Sequence, residues 1–169
     1  TDMTELRGVG IGLGVAQGPV ARMAEHLPAP ADTPSTLTPA EELARVREAV
    51  QVVARELEER GSKAGGLARE VLEAQAMMAE DPTLDAEVES RTSAGKTAEF
   101  AVSDAFASFR DTLAKMGGYL GERAADLDDV AQRVIARLRG LPAPGVPDPG
   151  HPFVLVAKDL APADTALLD

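Results

Sequence analysis

The sequence predicts an α+β fold: an antiparallel bundle of four helices, one of them kinked, inserted into an incomplete α/β part. Three observations predict it. Four stretches within residues 39–139 carry apolar residues at spacings of three and four, one face of a 3.6-residue coil. The two ends of the chain show strand-like patterns instead, GVGIGLGV at 8–15 and FVLVA at 153–157. Proline-rich linkers at 28–38 and 140–152 separate the two kinds of pattern. Strands, then helices, then a strand is an odd order for two independent domains. The simplest geometry pairs the first strands (1–27) with the returning strand and helix start (153–169) and sets the bundle (39–139) between them.

Composition agrees. The chain is 44% apolar but only 3% aromatic and lacks Trp, so Ala, Leu and Val must fill the core, which suits close helix packing. A net charge of −11 argues against nucleic acid, whose binders carry a basic patch, and against an anionic membrane surface. It favours cationic partners. No Cys is present, so disulfides and thiolate zinc sites are excluded, and a cytoplasmic setting fits. No run is long enough for a membrane span, and the acidic start TDMTELRG is not a signal peptide.

From the start, Val9, Ile11, Leu13 and Val15 alternate with glycines, the period of a buried strand. It is not a phosphate loop, because Gln17 stands where the third Gly of GxGxxG belongs. A turn at Gln17-Gly18-Pro19 leads to a second short strand, Val20 to Met23. Thr38-Pro39-Ala40-Glu41 reads as a capping box with Pro in the first turn. The first helix follows with the stripe Leu43, Val46, Val50, Val53, Leu57, and Gly61 is read as its end.

The second helix, Leu67 to Val88, is the most informative stretch. Leu67, Val71, Ala74 and Met78 form its first stripe, Asp81-Pro82 interrupts and recaps it, and Leu84 and Val88 continue. The break brings Gln75, Met78 and Leu84 near one another, ringed by Glu73, Glu80, Asp81 and Asp85. That is either a docking spot for a basic partner or a kinked core helix with a solvated acidic side. Gly95-Lys96-Thr97 opens the third helix, with Val102, Phe106, Phe109, Leu113 and Met116 as its stripe. Gly117-Gly118 stops it. The last helix, Tyr119 to Arg139, carries Leu120, Ala124, Leu127, Ala131, Val134 and Leu138. Asp126 and Asp129 share a face of it and read as solvated, or as partners of Arg123 and Arg133, since no calcium-loop pattern surrounds them. His26 and His151 lie in proline-rich stretches with no positioned partner, so neither reads as catalytic.

Three patches in this order, GVGIGLGVAQGPV, LEAQAMMAEDPTLDAEV, and YLGERAADLDDVAQRV followed by FVLVAKDLAPADTALLD, resemble the N-terminal region of the Enzyme I family of the bacterial phosphotransferase system, the phosphoenolpyruvate-protein phosphotransferases. The resemblance implies that the α/β part belongs to a swivelling phosphohistidine domain. It implies that the helical insertion docks the phosphocarrier HPr, which receives a phosphoryl group from an Enzyme I histidine in sugar uptake. Carried over by position, the HPr contacts fall on Gln75, Met78, Glu80, Asp81, Leu84, Leu120 and Arg123. At Gln75 other members have histidine, a departure from the pattern. The family's Gly-Gly-x-Thr-Ser-His motif is absent from these residues, so no catalytic residue, metal ligand or cofactor is expected in this chain, and alone it should not accept phosphate. The Mg²⁺ and phosphoenolpyruvate site is implied for a separate C-terminal domain, through which the parent forms a homodimer while this piece stays a monomer. The alternatives are a related swivelling-domain enzyme such as pyruvate phosphate dikinase, or a plain helical protein-binding module.

Overall fold

A computed structural model describes residues 3–147, 149–166 and 168. Residues 1, 2, 148, 167 and 169, within the predicted first-strand, linker and closing segments, lie outside the described residues. Two short strands, β1 (Val20–Arg22) and β2 (Val154–Val156), pair in parallel with Val20 opposite Val154 and Arg22 opposite Val156. Parallel strands need a long crossover. Here the crossover is the whole helical segment, so the first and returning strands do meet.

Between them lie α1 (Pro39–Ala64), α2 (Gly66–Ala79), α3 (Pro82–Ser93), α4 (Ala98–Met116) and α5 (Gly118–Leu138). A short α6 (Pro162–Thr165) follows β2. The kinked second helix of the sequence reading is α2 and α3. Helix α1 packs on α2 and α5, and α4 packs on α3 and α5. Val53 and Leu57, Leu72, Leu84, Val102 and Leu127, one or two from each helix, are all essentially closed to solvent.

The caps explain where the helices start. Thr38 accepts from the Glu41 N–H at 3.2 Å while the Glu41 carboxylate accepts from the Thr38 N–H at 2.8 Å, the predicted reciprocal box. Asp81 accepts from the N–H groups of Thr83 and Leu84 at 2.7 and 3.3 Å, so the chain leaves α2, turns at Glu80-Asp81 and restarts with Pro82 in the first turn of α3. Pairs of left-handed glycines mark the α1–α2 and α4–α5 junctions: Gly65 and Gly66 have φ 67° and 57°, Gly117 and Gly118 66° and 56°.

Two expectations are corrected. Gly61 does not end α1, which runs on to Ala64; it is a buried helical residue facing α2. The Gly8–Val15 strand does not form: Val9, Ile11, Leu13 and Val15 are more than nine-tenths exposed, with no regular structure. A strand is held by backbone partners beside it, and among the described residues the only sheet is the β1–β2 pair, which this segment does not join.

Candidate docking surface

The structure divides the predicted contact residues. Gln75 is 0% and Leu84 1% exposed, which corrects their expected place at an open apolar centre. The reason is helix phase. The inward face of α2 is Leu72, Gln75, Ala76 and Ala79, and the stripe Leu67, Val71, Ala74, Met78 lies beside it, partly or wholly open. Alanine fits a close helix crossing as well as leucine does, so size in the sequence misplaced the face. Leu84 enters the core one turn after the cap that aims α3.

Met78 is half-buried against the core, Glu80 is exposed, and Asp81 is half-buried with its carboxylate committed to the α3 cap. Leu120 is 45% exposed and Arg123 half-buried. The sequence reading missed Met77, which is 76% exposed on the outer side of α2, and Tyr119, 66% exposed. Met116, expected on an inward stripe, is exposed, and Leu120, expected both on a stripe and as a contact residue, is exposed too; both stand at the α4–α5 hairpin tip, beyond what the other helices cover. Gly117-Gly118 signals that tip in the sequence.

Gln75, Asp126, Arg123 and Tyr119 form one connected set across α2 and α5. The Gln75 amide Nε2 donates to Asp126 Oδ1 at 3.4 Å, and Arg123 Nη1 donates to Asp126 Oδ2 at 2.9 Å. The guanidinium carbon of Arg123 lies 4.8 Å from the centroid of the Tyr119 ring, a cation–π contact. The hydrogen bond to Asp126, then Tyr119, raises the Arg123 pKa further above its already high value. Two buried atoms of this set, Gln75 Oε1 and Arg123 Nε, have no hydrogen-bond partner among the described residues. Met78 and Arg123 each lie three residues from the Gln75–Asp126 contact, within one turn of it on their own helices.

Concavities flank the helices among the described residues. A cleft of about 380 Å³ at the α2–α3 break has Val46, Val50, Leu84 and Phe106 among its apolar lining and Glu80 at its rim. Beside it Arg47 grips Asp85 with two hydrogen bonds, at 3.0 and 2.8 Å, which holds the Asp85 carboxyl below the usual range. A second cavity, about 260 Å³, lies between α5 and residues 23–26 and 159–164, with His26, Asp126, Asp129 and Asp164 among its lining. Burial pushes the Asp129 carboxyl up, opposed by Arg133, which donates to it at 3.1 Å. Among the described residues no group of three or more His, Asp or Glu is arranged to hold a metal. Among them, too, no helix is long and apolar enough to cross a membrane.

A long helical insertion carried on a parallel strand pair defines an α+β module. A family model described as "PEP-utilising enzyme, N-terminal" matches residues 7–123, and the chain belongs to that family. It is 56% identical over 170 residues to the phosphoenolpyruvate-protein phosphotransferase of Streptomyces coelicolor, covering 98% of this chain and 30% of that protein. The chain thus spans about a third of that relative's length. Among solved structures it resembles an Enzyme I solution structure, with TM-score 0.71 and 30% identity over 88% of this chain and 63% of the other. It also resembles a structure described as "N-terminal domain of Enzyme 1 - Nitrogen", with TM-score 0.67 and 25% identity over 90% and 64% of the two chains.

Proposed function

We propose that this chain is the N-terminal part of a cytoplasmic phosphoenolpyruvate-protein phosphotransferase and that its helical part, residues 39–139, docks the phosphocarrier HPr. The parent would pass phosphoryl from phosphoenolpyruvate, through a histidine outside these residues, to HPr for sugar uptake. The observation that carries the docking reading is that the two helices joined by Gln75 and Asp126 both leave apolar side chains open, Met77 and half-open Met78 on α2, Tyr119 and Leu120 on α5. Glu80 adds exposed negative charge there, on a chain of net charge −11. Apolar contact of this kind supplies affinity, and surrounding carboxylates speed the approach of a basic partner.

The test is an NMR titration of the 169-residue chain with unphosphorylated HPr. Shifts should concentrate at Met77, Met78, Leu120 and Arg123, and the association rate should fall as salt is raised. Shifts confined to other faces, or none, would remove the docking reading.

A further inference from the structure

We infer that Gln75 is a positioning residue for docking: through Asp126 it fixes the guanidinium of Arg123 at the contact surface. The inference rests on the docking reading above. Gln75 is 0% exposed, so it cannot touch a partner. Its amide nevertheless reaches the surface in two steps. It donates to one oxygen of Asp126, and the other oxygen of the same carboxylate accepts from Arg123. Asp126 is only 8% exposed, and both of its oxygens accept from protein donors. Without the amide, one oxygen of that carboxylate loses its donor from α2, and its plane is no longer held from both sides.

The far side of Arg123 is held too. The Tyr119 ring lies 4.8 Å from the guanidinium carbon, so the group sits between a carboxylate and an aromatic face. An arginine already held in place loses little freedom when it meets an acceptor on a partner, and preorganisation of that kind strengthens binding without adding a contact. Gln75 Oε1 and Arg123 Nε, on the two side chains that share Asp126, are buried with no hydrogen-bond partner among the described residues.

The chain contains one tyrosine and no tryptophan, so ring signals from Tyr119 report this contact without interference. The experiment compares wild type, Gln75→Met, Arg123→Ala and the double variant. Tyr119 fluorescence and ring resonances are recorded without partner, and affinity is recorded with unphosphorylated HPr. Gln75→Met should move the Tyr119 signals toward those of Arg123→Ala. It should weaken HPr binding by about tenfold, the effect of one lost hydrogen bond to a charged group. The double variant should bind as Arg123→Ala alone. Unmoved Tyr119 signals in Gln75→Met, or losses that add in the double variant, would overturn the inference. Should Gln75→Met fail to fold by circular dichroism, Asp126→Asn, nearly the same shape, takes its place with the same readouts. If wild type does not bind HPr, the docking reading falls, while the Tyr119 signals still decide whether Gln75 fixes Arg123.

Discussion

Gly61 of α1 and Leu72 of α2 meet at the helix crossing: a Cβ built on Gly61 would lie 3.3 Å from Leu72 Cβ and 3.3 Å from the Arg69 carbonyl oxygen. Backbone is one of the two neighbours, so a larger side chain cannot be absorbed by side-chain rotation alone. Gly61→Val should therefore destabilise the chain by about 1–3 kcal/mol, the usual penalty for overpacking. Urea unfolding checks this. An unchanged midpoint would mean that the two helices separate easily there.

Asp81 has two separable roles, cap and charge. Asp81→Asn keeps an oxygen for the Thr83 and Leu84 N–H groups, and Asp81→Ala removes it. The alanine variant should lose about 0.5–2 kcal/mol of stability, and the asparagine variant much less. If the charge also steers HPr, Asp81→Asn should slow association at low salt without changing thermal stability.

Leu84→Asp and Met77→Asp should behave oppositely. Leu84 is 1% exposed, so an acid there puts an unpaired charge into the core and should unfold the chain, which circular dichroism would show. Met77 is 76% exposed, so its stability should stay within about 0.5 kcal/mol of wild type. HPr binding should nonetheless fall, as calorimetry would read. Unaltered binding would place the contact elsewhere.

Asp85 and Asp129 should titrate on opposite sides of the ordinary aspartate range, as carboxyl NMR would show. The Arg47 hydrogen bonds lower Asp85, so its contribution is present above the unfolded-state value and is lost as pH falls through the folded value. Its side chain is 41% exposed, which limits that contribution to about 0.2–1 kcal/mol. Burial raises Asp129, so its contribution is fullest below the unfolded-state value and fades as pH rises through the folded one. The difference between Arg47→Met and wild type should therefore shrink as pH falls from neutrality through the folded value of Asp85.

Asp164 ties α6 to α5. It accepts from the Ala161 N–H at 2.9 Å and lies 3.5 Å from the guanidinium of Arg133, which is 4% exposed. Asp164→Ala should cost about 2–3 kcal/mol, less than a fully broken buried pair because Asp129 still faces Arg133. Amide exchange at 161–166 should quicken while α1–α4 stay protected.

Much of this was legible in the chain. The capping box at Thr38, the break at Asp81-Pro82 and the Gly117 turn follow from local chemistry, because caps and left-handed turns are settled by a few adjacent residues. The meeting of the two end strands followed from the matching patterns at 20–23 and 153–157. The site was less legible. Gln75 and Leu84 looked like neighbours at an open break, and both proved to be core. Met77, which the spacing did not single out, proved to be exposed.

Sequence alone determined where α1 starts, where the chain breaks at Asp81-Pro82, and the acidic character of the chain, since caps and charge are properties of consecutive residues. Tertiary structure alone decided which way α2 is rotated, that Gly61 lies inside a crossing, and that the valines and isoleucine of 9–15 lie uncovered. Rotation depends on which small residues let a neighbouring helix approach. Burial of a strand depends on partners that its own residues do not specify.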